Sequence, residues 1–80
     1  MQSIPLTRAR ADDLRRKFTA FKQHPDVPQG LRDEISFVSR MLTVRGDRAT
    51  LAIPDAQTTI ALQAFVDVYP FPELARVLGV

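Results

Sequence analysis

The sequence predicts a small, mainly helical α+β domain with three to four helices and a short β-hairpin between the second and third. Three observations carry this expectation. Apolar residues recur at helical spacing in the first half, a Gly-Asp pair sits between two short alternating runs, and prolines at 25, 28, 54, 70 and 72 divide the rest. At 80 residues, with 45% hydrophobic and 25% charged content, the chain reads as one compact domain over 1–80. A core of this size supplies only about 3–5 kcal/mol. With no cysteine there is neither a disulfide nor a thiolate metal site to add to it, so self-association, a homodimer for instance, is the remaining support.

Residues 1–6 read as an extended arm, because Pro5 biases Ile4 away from helix. A first helix runs from about Thr7, a suitable cap, to Gln23, with Ala11, Leu14, Phe18 and Phe21 as its buried stripe. His24 to Pro28 is a loop, since two prolines in four residues continue neither neighbour. The second helix starts near Pro28 and ends at Met41 or Leu42. Leu31, Ile35, Val38 and Leu42 lie within about 60° of one another on it, and Phe37 with Met41 forms a second strip. Thr43-Val44 and Ala49 to Ile53 then form a hairpin around Arg45-Gly46-Asp47-Arg48. That turn spells an integrin-binding tripeptide, which glycine and aspartate at a turn explain without any adhesive role.

Residues 58–69 fit two states. Ile60, Leu62, Ala64, Val66 and Val68 alternate as a strand would, yet an Asp55 cap, three alanines and a glutamine favour helix through about Val68. As a helix, its inward face is expected to carry Ile60, Ala61, Ala64, Phe65 and Val68. Leu62, Val66 and Tyr69 then form a second apolar strip, a candidate surface for self-association or a partner. Pro72 to Leu78 makes a last short helix, with Leu74, Val77 and Leu78 inward and Gly79 ending it.

Charge is unevenly distributed. Residues 1–24 carry Arg8, Arg10, Arg15, Arg16, Lys17 and Lys22 against Asp12 and Asp13, a local +4 within a chain of net +2. Arg8, Arg15 and Lys22, spaced by seven, form a rail with about 10 Å between successive members, and Arg10 and Arg16 add to the basic surface. These five are the candidate contacts to nucleic acid or to an acidic protein surface. Chemistry is sparse elsewhere. His24 is the only histidine, no carboxylate pair faces a nucleophile or base, and no metal-ligand spacing occurs, so neither an enzyme, a cofactor nor a metal is expected. No apolar run reaches the ~18 residues of a membrane span, and the N-terminal residues lack the apolar core of a signal peptide, which suits a cytoplasmic protein.

No family motif occurs. In its size, its lack of catalytic groups and its polarised charge, the chain resembles the small inhibitors encoded by phages and other mobile elements, anti-CRISPR proteins among them. The likeness is one of type and assigns no residue. It implies a non-enzymatic protein that docks stoichiometrically on a large nucleic-acid-handling complex through a basic helix and an apolar patch. The alternatives are a small dimeric DNA-binding transcriptional regulator and an accessory subunit of a larger complex.

Overall fold

The computed structural model describes residues 2–79; Met1, the first residue of the expected arm, lies outside them. The elements are β1 (Gln2–Thr7), α1 (Arg8–Gln23), α2 (Gln29–Arg40), β2 (Leu42–Arg45), β3 (Arg48–Ile53), α3 (Ala56–Val68) and α4 (Pro72–Leu78). The expected α+β architecture is therefore present, with the hairpin between the second and third helices.

The arm is the first correction. Residues 2–7 form an antiparallel edge strand, giving a three-stranded sheet of order β1-β3-β2 in which Ile4 opposes Leu51 and Pro5 opposes Thr50. Pro5 lacks a backbone N–H, and an edge strand is where a sheet tolerates that loss. A two-stranded hairpin is marginal in water, and the third strand completes an apolar face of Ile4, Leu6, Leu42, Ala49, Leu51 and Ile53, all buried. The helices cover that face, and the opposite face is open.

The caps lie where the residues place them. Thr7 Oγ1 accepts from the Arg10 backbone N–H (3.2 Å) and Asp55 Oδ1 from that of Thr58 (2.8 Å). Gly79 ends α4 in the left-handed region that glycine tolerates best. Gly46 also has positive φ while Asp47 does not, the sign pattern of a II′ hairpin turn. The α1 stripe of Ala11, Leu14, Phe18 and Phe21 is buried in full, as are Ile35 and Val38 of α2. Leu42, expected at the end of α2, is buried instead as the first residue of β2.

The second correction concerns α3, a helix whose rotation differs from expectation. Leu62 and Val66 are core residues at 0% and 9% exposure, whereas Ile60 and Val68 stand out at 64% and 49%. Tyr69 is half-buried. The physical reason is that α3 packs against α1, α2 and α4 at once, so the arc through Thr58, Ala61, Leu62, Phe65 and Val66 is enclosed. Phe65 anchors that rotation. Its ring lies 4.7 Å from that of Phe18, 5.5 Å edge-on from Phe21 and 5.9 Å stacked from Tyr69. The apolar residues of α3 presented to solvent are thus Ile60 and Val68, with half-buried Ala64 between them, displacing the expected surface of Leu62, Val66 and Tyr69.

Truncating Phe65 to Ala is expected to cost about 3–5 kcal/mol, comparable to the whole stability of a core this small. Thermal melting followed by circular dichroism should then lose its cooperative transition. Ile60→Ala, at an exposed position, should move stability by less than about 0.5 kcal/mol; the reverse ranking would contradict the rotation of α3.

Candidate functional site

The five cations singled out in α1 separate into two groups once the chain is folded. Arg10 is held internally. Its Nε donates to Glu73 Oε2 at 2.6 Å and its Nη2 to Glu73 Oε1 at 3.0 Å, a bidentate pair from α1 to α4, while Nη1 donates to Asp13 Oδ2 at 3.1 Å. The same guanidinium lies 4.2 Å from the centroid of the fully buried Phe71 ring. Asp13 also accepts from Lys17 Nζ (2.9 Å) and Arg16 Nη2 (3.3 Å). One carboxylate therefore draws three cations of α1 toward itself. Arg16 keeps 73% of its side chain exposed while sharing Asp13 with Arg10 and Lys17.

Hydrogen bonding governs the titration of this cluster. The Arg10 hydrogen bonds hold the Glu73 carboxyl below its ordinary range, with burial opposing them. Donation from Lys17 does the same for Asp13, and the bond to Glu73 raises Arg10.

The second group is Arg8, Arg15 and Lys22, whose alignment on α1 survives folding. The Arg8 backbone N–H donates to the Asp47 carbonyl oxygen (2.9 Å) and its Nη1 to that of Gly46 (3.4 Å), tying the start of α1 to the hairpin tip. Arg15 Nη2 reaches the Leu42 carbonyl oxygen at 3.5 Å, where β2 begins. Arg15 and Lys22 then meet Arg40, the last residue of α2, around a cleft also lined by Phe18, Thr19 and Ser39. No carboxylate lines this cleft, and among the described residues Arg15, Lys22 and Arg40 form no salt bridge. Three cations share one concavity with two hydroxyl groups. Such an arrangement concentrates positive potential and suits an anionic partner.

Arg40 was absent from the candidate residues read off the sequence. The only available signal was its place in the last turn of the helix following the basic one, and nothing local brings it beside Lys22.

An apolar cleft lies at the other side of the α1 C-terminus, where Phe21, Val27, Pro28 and Leu31 meet Ala64 and Val68 of α3. His24 and Asp26 stand at its rim, with Nδ1 to Oδ2 at 3.9 Å. Among the described residues no group of three or more His, Cys, Asp or Glu side chains converges as a metal site, and no helix is long and apolar enough to cross a membrane. No protein-family model, curated protein or solved structure matches the chain.

The Arg10–Glu73 clamp gives a testable pH dependence. Because the folded-state carboxyls titrate below their unfolded values, the unfolded chain takes up protons first on acidification. Their contribution is present above the unfolded range and lost as pH falls through the folded one. Glu73→Gln removes one charge-assisted bond of a partly exposed pair, at a cost of about 1 kcal/mol. At neutral pH that corresponds to a Tm lower by about 4–8 °C for a chain this size. The variant's Tm should also fall less steeply than wild type below the ordinary glutamate pKa of 4.5; parallel pH curves would show that the clamp does not titrate with folding.

Proposed function

We propose that this is a non-enzymatic cytoplasmic binding protein that docks stoichiometrically on a nucleic-acid-handling complex and inhibits it by occupancy. The observation that carries the reading is the cleft of Arg15, Lys22 and Arg40, concave, hydroxyl-lined and without a carboxylate. Cations spared from internal pairing are available to an acidic surface, where they raise association rate and set orientation more than they add affinity. The exposed Ile60 and Val68, with half-buried Ala64 between them, supply the complementary contribution, since apolar burial provides most of the free energy of such contacts. The likeness in type to small phage-encoded inhibitors agrees with both features.

A helix-turn-helix regulator is less well supported. That motif reads bases with the first half of its second helix. Here the cation of that half, Arg32, turns back to donate to the His24 carbonyl oxygen at 3.0 Å, and the two helices are joined through His24 to Pro28 rather than by a short glycine turn.

Affinity capture from a nuclease-treated bacterial lysate tests the reading. The wild-type chain should retain a nucleic-acid-handling complex, identified by mass spectrometry, and Arg15→Glu/Lys22→Glu should reduce retention by about tenfold or more. Arg16→Gln/Arg76→Gln alters charge outside the cleft and should leave retention near wild type. Equal losses in both variants, or retention abolished by the nuclease, would contradict docking through the cleft.

A further inference from the structure

The open face of the sheet is a second basic surface, built by register rather than by any one element. Residues of alternating parity point away from the helices and form rows across the strands. Thr7, Arg48 and Arg45 make one row, and Pro5, Thr50 and Thr43 make the next. All six are exposed. Arg45 and Arg48 lie directly opposite one another, an arrangement that destabilises a strand pair when both charges have the same sign. Among the described residues neither forms a salt bridge. Together with Thr43 and Thr50 they line a single shallow cleft, and Arg8 stands beside it at the Gly46 carbonyl. Asp47, in the turn between them, pairs with neither among the described residues.

Two like charges held in register and paired with no carboxylate among the described residues suit an anion from outside the chain. We propose that this face binds the phosphodiester backbone of duplex nucleic acid independently of its sequence. Guanidinium and hydroxyl groups are the side chains that contact phosphate oxygens, and this face offers both in adjacent rows. It carries no aromatic ring, and single-strand binders depend on aromatic platforms on which bases stack. The face thus contacts the nucleic acid of a complex whose protein component the α1/α2 cleft engages. It is a different surface from that cleft and stands or falls independently of it.

The test is fluorescence anisotropy of a labelled random-sequence DNA duplex titrated with the purified protein at several salt concentrations. Wild type should bind with a dissociation constant of about 1–100 μM, characteristic of sequence-independent contact. The log–log salt slope should be about −2 to −3 for the three guanidiniums of Arg8, Arg45 and Arg48. Arg45→Gln/Arg48→Gln should flatten that slope by nearly 2, with thermal melting unchanged or raised because the like-charge pair is gone. Arg15→Gln/Lys22→Gln should leave the slope at its wild-type value. Wild-type slope in the Arg45/Arg48 variant, tighter binding to the single strand, or no binding by wild type at low salt would each overturn the proposal, whatever the capture experiment shows.

Discussion

The structure depends on the packing of Phe65 between the rings of Phe18, Phe21 and Tyr69. Residues 56–68 are apolar over most of the helix circumference, so amphipathicity alone leaves the rotation of α3 undetermined. The aromatic contacts select one rotation. With Phe65 fixed in the centre, Leu62 and Val66 follow into the core and Ile60 and Val68 are turned outward. The same contacts seat α1 by its Phe18-Phe21 edge, and that seating decides which cations lie along the groove with α2.

The second organising feature is the division of charge. Asp13 and Glu73 take up Arg10, Arg16 and Lys17, and the Arg10 contacts span from α1 to a helix of only seven residues. An isolated helix of that length is unstable in water, so α4 is held by Phe71, Leu74 and this clamp. Among the described residues the remaining arginines and lysines pair with no carboxylate, and the internal bonds of Arg8, Arg15 and Arg32 go to backbone carbonyls. Arg8, Arg15 and Lys22 follow one side of α1, Arg40 joins them from α2, and Arg45 with Arg48 continues the basic surface onto the hairpin. Under the proposed function these charges would face the partner.

Much of this was legible in the residues, and the exceptions share a cause. The caps at Thr7 and Asp55, the proline at the start of α4 and the glycine at its end act over three or four residues, so they can be read locally. The α1 stripe has a single apolar face and was equally plain. β1 was legible only as an extended arm, because Pro5 argues against helix, and its pairing with β3 as an edge strand is a tertiary fact. Arg10 looked like a binding residue because its partner Glu73 lies 63 residues away. The grouping of Arg40 with Lys22 arises from helix packing and has no local signal, whereas Arg45 opposite Arg48 follows from the expected hairpin turn at Gly46-Asp47.

The cations paired with carboxylates and those that would meet a partner under the proposed function are different residues. Proton–nitrogen NMR of the arginine side chains, recorded with and without duplex DNA, tests this most directly. In the free protein the Arg10 Nε–H should be protected from exchange by its carboxylate and aromatic contacts, whereas those of Arg15, Arg40, Arg45 and Arg48 should exchange rapidly. On adding DNA, Arg45 and Arg48 should shift while Arg10 stays unchanged. An Arg10 signal that exchanges freely, or that responds to DNA as strongly as Arg45 and Arg48, would contradict the division on which the account rests.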